Sequence, residues 1–229
     1  MNLFCFRTFL IIFLGAGSLA SAQDHSAKRL LEHVWDDQKQ VWLFPFQPES
    51  WKEPRFWLLT GISAGSFAMD GDITRELKDE SALDGLDFLS SEPSNIAVHS
   101  VPLIFLLGGK LADNRHLTEF GWKSAQAAID AILVSRLLKL ATQRSRPHTG
   151  AEYGFWEGGN SFPSGHATLA WSLAAVATEH FEEEKWVRWV VFPVAGLISL
   201  SRISSGNHFA SDAVVGSILG YGIGRYAID

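Results

Sequence analysis

Cysteine is almost missing from this 229-residue chain, whose single copy, Cys5, falls among the first residues. One thiol makes no disulfide framework, and nothing around Cys5 suggests thiolate chemistry. A basic surplus is missing too. Nineteen lysines and arginines face 25 aspartates and glutamates, a formal net charge of −6, which argues against a nucleic-acid partner. A local cluster for one small phosphate remains compatible with that total. There is no repeat of fixed period, so a solenoid is not supported, and no Asn-Gly turn joins two alternating runs, so strand signals are weak. Uninterrupted apolar runs of the ~20 residues that span a bilayer are also lacking. Arg55 and Asp70 enclose fourteen residues, His166 and Glu179 twelve, Arg188 and Arg202 thirteen, and Asp212 and Arg225 twelve. With a mean hydropathy of +0.07 and 19% charged residues, the pattern reads as a soluble helical bundle.

What is present divides the chain in three. Residues 1–22 read as a secretory leader: Arg7 is the basic residue, an apolar run covers 9–14, and Ala20-Ser21-Ala22 is a small-residue cleavage site. Export to the periplasm is therefore expected, with attachment to the outer side of the inner membrane as the alternative. Residues 23–55 form an aromatic-rich N-terminal arm. Trp35, Trp42, Phe44, Phe46 and Trp51 occur there among Pro45, Pro48 and Pro54, which break a continuous helix. The arm reads as an irregular strap over the body, or as a peripheral membrane contact through residues 35–57. Residues 56–229 form the main domain. Apolar segments with helical spacing recur at 56–69, 95–111, 117–142, 167–181, 186–201 and 209–227, so the fold is expected to be all-α, a compact bundle of about six core helices. The 70–94 connection is polar and reads as a surface loop, with Asp70-Gly71-Asp72 a solvated turn. Gly216, Gly220 and Gly224, at every fourth position, would let a neighbouring helix approach closely.

Three clusters in the second half carry chemistry. Lys139 sits near the end of a long helix, and Arg146-Pro147 marks its exit. Pro163-Ser164-Gly165-His166 follows, with Ser164 expected as the N-cap of a helix starting at Gly165 or His166. Unpaired N–H groups at such a start bind anions, and His166 can donate a proton to a bound oxygen. The third cluster runs from Ser201-Arg202 to His208 and Asp212. On a helix, His208 and Asp212 share one face one turn apart, and a carboxylate on one ring nitrogen raises the basicity of the other. Taken alone, each cluster suits an ordinary cap or ion pair. Together they combine three cations, helix-start amides, a proton donor and an oriented histidine, the equipment for transferring a tetrahedral oxyanion. No His, Cys or Asp grouping has metal-ligand spacing, so a mechanism with no metal and no cofactor is expected.

The order Lys139–six residues–Arg146-Pro147, then Pro163-Ser164-Gly165-His166, then Ser201-Arg202–five residues–His208–three residues–Asp212 resembles the three-part signature of the type 2 phosphatidic acid phosphatase/vanadium haloperoxidase superfamily. The resemblance implies an all-α core and a phosphatase. In it His208 is the nucleophile of a phosphohistidine intermediate, Asp212 orients it, and His166 is the general acid. Lys139, Arg146, Ser164, Gly165 and Arg202 hold the phosphoryl oxygens. The implied substrate is a phosphate ester, either a lipid phosphate such as phosphatidate or a polyprenyl (pyro)phosphate, or a soluble ester. The haloperoxidase branch holds vanadate in the same cradle and is the alternative, but its members are much larger chains. A non-catalytic phosphate-binding module is the least favoured reading, given the intact His166, His208 and Asp212.

Overall fold

The computed structural model describes residues 27–79, 81–149 and 154–227; the expected leader at 1–22, with Cys5, lies outside the described residues. Within them the chain forms α1 (Ala27–Leu43), α2 (Pro54–Ala68), α3 (Asp70–Asp79), α4 (Glu92–Leu111), α5 (Arg115–Thr142), α6 (Gly165–His180), α7 (Trp186–Ser204) and α8 (Ala210–Tyr226). No strand occurs among the described residues. Each of the six apolar segments becomes a helix whose ends lie within a few residues of those expected, which gives α2 and α4 to α8.

Local chemistry sets several of these ends. Proline occupies the first turn of α2 and of α4, where its missing N–H removes no helical bond. Asn114 caps α5 by accepting from the Leu117 N–H at 3.1 Å. At the other end Gln143 enters the left-handed region, φ 45° and ψ 38°, and its N–H returns to the Lys139 carbonyl. Ser164 is the N-cap of α6, as its sequence position suggests.

Two segments are more ordered than expected. The arm at 23–55 is helical through Leu43, because Pro45, Pro48 and Pro54 all follow that residue and break the chain only once α1 has ended. Two 3₁₀ turns, Phe44–Phe46 and Ser50–Lys52, carry the remainder. Polar side chains fix α1 to α5: Gln38 Nε2 donates to Asp130 Oδ1 at 2.8 Å, and Gln126 Nε2 donates to Asp37 Oδ2 at 2.6 Å. Burial, reinforced by the charge of Asp37, pushes Asp130 up to about 8, so it carries a proton at neutral pH. The 70–94 connection is not a solvated loop: it contains α3 and a 3₁₀ stretch, Ser81–Ser90. Asp70 itself is only 2% exposed.

The bundle closes around α6, whose Ala167, Leu169, Ala174 and Val176 are buried and which packs on α5, α7 and α8. Its contact with α8 is the closest. A Cβ placed on Gly216, Gly220 or Gly224 would lie 2.7, 2.1 or 2.3 Å from the carbonyl oxygens of Ser164, Thr168 and Ser172 respectively. The four-residue glycine spacing thus matches a four-residue row on α6, and the two backbones nearly touch.

The outer faces differ from those of a soluble bundle. On α4, Ile96, Ile104, Leu107 and Leu111 face outward, and on α7, Trp186, Trp189, Val190, Val194 and Leu197 do so. Pro93–Leu111 and Trp186–Ser204 are long and apolar enough to cross a membrane, and only 22% and 33% of those windows is buried. Short charge-free windows suggested core helices. The charges that interrupt them lie near helix ends, at Lys110, Arg188 and Arg202, and leave the outward faces apolar.

Gly220→Ala is expected to cost about 1–3 kcal/mol, because the new methyl meets the backbone of α6 rather than a yielding side chain. Gly222→Ala, two residues along on an open face, is the control. The measurement is the thermal unfolding midpoint, which falls for the first variant and holds or rises for the second.

Candidate active site

Four helix ends meet at one pole of the bundle: the exits of α5 and α7 and the starts of α6 and α8. The loop before α6 is zipped to the exit of α5. Trp156, Glu157 and Ser161 donate their N–H groups to the carbonyls of Thr142, Gln143 and Arg144 at 2.8, 3.0 and 2.9 Å. Gly206 takes φ 65°, which residues with a Cβ rarely adopt, and so turns the chain sharply after α7. The His208 N–H then closes onto the Arg202 carbonyl at 3.0 Å. Ser164 N–H donates to the Asp212 carbonyl at 2.9 Å, which ties the second motif directly to the third.

Arg144 lies beneath this junction and is 1% exposed. Its Nη1 donates to Asp212 Oδ1 at 2.8 Å and to Ser211 Oγ at 2.7 Å, while its Nη2 donates to Asp70 Oδ2 at 2.6 Å. Asp70 Oδ1 accepts the Ser211 N–H at 2.7 Å. The rings of Phe209, Phe155 and Phe67 surround the guanidinium at 4.3, 4.9 and 5.3 Å from their centroids. Arg144 stands inside the first motif between Lys139 and Arg146 without being part of it, and its partner Asp70 is buried, not in a solvated turn. A charged residue next to a motif carries no mark of burial, so neither could be read as a pair.

His208 is not on a helix, contrary to the spacing argument, since α8 begins at Ala210. Asp212 reaches back to it from the first turn of α8. Its Oδ2 accepts the Phe209 N–H at 2.9 Å and stands 3.5 Å from His208 Nδ1. Ser161 Oγ donates to the same Oδ2 and lies 3.5 Å from Nδ1. The His–Asp contact is long for a hydrogen bond, and such contacts tighten when a ligand fills the site. Burial, together with nearby Lys139 and Arg146, pushes His208 down to about 3 against the opposing pull of Asp212. His208 is therefore neutral at pH 7, and its Nε2 keeps its lone pair. Burial works to raise Asp212. The His208 hydrogen bond and charge, Arg144 and the Ser161 hydroxyl outweigh it, so Asp212 titrates below the usual carboxylate range.

A cavity of about 270 Å³ opens above these groups. Of the residues expected from the sequence, Lys139, Arg146, Gly165, His166 and His208 line it. Ser164, Asp212 and Arg202 stand behind its wall: Ser164 caps α6, Asp212 backs His208, and Arg202 Nη1 donates to the Ser90 carbonyl at 3.1 Å. Lys139 Nζ donates to the carbonyls of Asn160, Ser161 and Pro163 at 2.6, 3.1 and 2.6 Å. Burial, then the Arg146 charge, lowers its pKa to about 7. Arg146 Nε is held by Asn160 Oδ1 at 2.9 Å. Burial, followed by the Arg202 charge, also pushes His166 well below its ordinary value.

His99 on α4 also lines the cavity, and its ring meets His166 edge to face at 6.1 Å between centroids. Its Nδ1 donates to the Asn95 carbonyl at 2.6 Å, which fixes the tautomer. No sequence signal marks His99, because it belongs to an apolar helix forty residues before the first motif. Chemically, the cavity can receive a tetrahedral anion between cations, with a neutral buried histidine on one side and a second histidine across from it.

Known proteins resemble this chain in sequence and fold. Residues 121–228 match the PAP2 superfamily. The chain is 29% identical to a lipid A 4'-phosphatase of Porphyromonas gingivalis over 63% of its own length and 64% of that protein's. It is 30% identical to a lipid A 1-phosphatase of the same organism over 46% of its own length and 25% of that protein's. The chain thus spans less than two thirds of either relative. The crystal structure of Aquifex aeolicus LpxE superimposes with a TM-score of 0.51 at 20% identity, covering 70% of this chain and 94% of that one, which is a likeness of fold.

Arg144→Met leaves two buried carboxylates without their cation and is expected to cost about 3–5 kcal/mol. Adding Asp70→Asn removes one of those charges, so the double variant should be more stable than the two single losses would sum to. Urea unfolding of the single and double variants measures that coupling, and strict additivity would show the pair to be independent.

Proposed function

We propose, from the match of residues 121–228 to the PAP2 superfamily, that this protein hydrolyses the phosphate esters of lipids through a phosphohistidine on His208. The observation that carries the reading is a buried, neutral His208, backed by Asp212, that faces Lys139, Arg146 and His166 across one cavity. The likeness to two lipid A phosphatases supports a lipid phosphate as the substrate class. The apolar outer faces of α4 and α7 support work at a membrane, and the leader-like residues 1–22 support export; a site on the periplasmic side is part of this proposal.

In this reading the phosphoryl oxygens settle against Lys139, Arg146 and the backbone N–H groups at Gly165, with Arg202 adding charge from behind. His208 Nε2 attacks phosphorus as the bond to the lipid oxygen breaks, and His166 gives that oxygen its proton. Asp212 and Ser161 hold the Nδ1 side while the ring gains positive charge. His166, now neutral, takes a proton from water, whose oxygen attacks phosphorus and releases inorganic phosphate from His208. Burial and Arg202 oppose the protonated form of His166 in the empty pocket. A phosphate dianion between them reverses that balance and readies the acid.

His208→Ala is expected to lower turnover of phosphatidate by at least about 10³-fold. Rapid quenching of the wild type with labelled substrate should trap acid-labile label on His208. Undiminished turnover by His208→Ala would sink the phosphohistidine.

The pH dependence has a definite sign. Lys139 binds phosphate in its charged form and loses its proton near pH 7, so kcat/KM falls as pH rises through that region. Lys139→Arg keeps the charge and should move the descending limb up by about one pH unit or more. An unmoved limb in pH–rate profiles of the two proteins would assign it to another group.

A further inference from the structure

A second cavity, of about 570 Å³ and almost wholly apolar, lies on the flank of the bundle between α4 and α7. Its floor is the small-residue face of α6, Ala170, Ala174 and Ala177, and its walls include Val101 and Phe105 from α4 and Val190 and Val194 from α7. The cavity forms because α4 packs mainly on α5 while α7 packs mainly on α6, so the two outer helices splay over alanines too short to fill the gap.

The head of this groove lies within one turn of the lining of the catalytic cavity on α4 and α6, and one turn from Arg202, behind the cavity wall, on α7. Val98 precedes His99 on α4, Ala170 is one turn beyond His166 on α6, and Ile198 is one turn before Arg202 on α7. The far end is marked by Phe181 and Trp186, with Glu184, the one charged lining residue, beside them. Ile198 and Trp186 are twelve residues apart on α7, about 18 Å at 1.5 Å per residue. A zigzag of 1.52 Å carbon–carbon bonds advances roughly 1.3 Å per carbon, so this length takes about 14 carbons. The rim residues Val190 and Val194 are exposed on the same apolar flank as Ile104 and Leu107, so a chain can enter sideways.

We propose that this groove holds one hydrocarbon chain of the substrate lipid while its phosphate occupies the cationic cavity, and that the groove selects substrates by chain length. The inference rests on the lipid-phosphate reading above. The occupant follows from the neighbouring positions of the two linings on α4 and α6: the polar cavity suits an anion, and the groove that begins within a turn of it stays apolar for about the length of an acyl chain. A groove of this volume is within the range that encloses most of a small ligand, and a single chain fills it.

Val194→Trp fills the groove from its rim and Ala174→Phe from its floor. Each is expected to lower the ratio of kcat/KM for dipalmitoyl over dihexanoyl phosphatidate, in mixed micelles, by about tenfold or more. Leu197→Trp, on the outward face of the same helix and outside the groove, should leave that ratio within about twofold. An unchanged ratio in both groove variants overturns the proposal. A second measurement needs no variant and no turnover: phosphatidate with a photoreactive diazirine midway along one chain is crosslinked to the wild type. Label on peptides covering 170–177 and 190–198 supports the groove, and label confined to other faces overturns it. Groove label on a protein that turns over no phosphate ester would refute the hydrolysis and leave the chain site standing.

Discussion

The buried guanidinium of Arg144 is the contact on which the rest of this site depends. One cation joins Asp70 at the start of α3 to Asp212 in the first turn of α8, and three aromatic rings exclude water around it. Without it, two carboxylates would stand unpaired in a dry interior, an arrangement proteins avoid by unfolding or by taking up protons. With it, Asp212 stays ionised and fixed, and it can support His208 from behind. The carboxylate of the buried ion pair and the carboxylate behind His208 are therefore one group, and the stability of the junction and the state of His208 are linked through Asp212.

Close backbone packing does the rest of the positioning. The glycine row of α8 lies on the carbonyls of Ser164, Thr168 and Ser172, which sets the height of the α6 N-terminus relative to Asp212. The Ser164 N–H bond to the Asp212 carbonyl then fixes the second motif against the third. Lys139 and Arg146 are placed by carbonyls and by Asn160 in the loop zipped along the α5 exit. Each cation is thus held in place by the fold itself, which lowers the reorganisation that receiving an anion there requires.

The molecule has two unlike surfaces, and His99 and His166, which line the first, stand within a turn of Val98 and Ala170, which line the second. One is a small polar cavity at the pole, the other an apolar flank along α4 and α7. A lipid phosphate has the same two-part character, an anion joined to hydrocarbon, which is why it is the proposed substrate. Net charge fits this division as well. A chain with a formal net charge of −6 still gathers Lys139, Arg146 and Arg202 around one point, so its positive charge is concentrated locally.

The sequence by itself determined the helical class, the six core segments, the α6 cap at Ser164 and the set of residues that gather at the pole. Periodicity, capping chemistry and ordered motifs are local properties, written in runs of a few residues. Only the tertiary structure decided which cations line the cavity and which stand behind it, and that His208 precedes its helix. It also decided that Asp70 is the buried partner of Arg144, that His99 joins the site, and that the alanines of α6 floor an open groove. Those facts depend on pairs separated by tens of residues in the chain, such as Asp70 with Arg144 or His99 with His166. Burial and pairing at that range arise only when distant helices pack, and no local pattern encodes them.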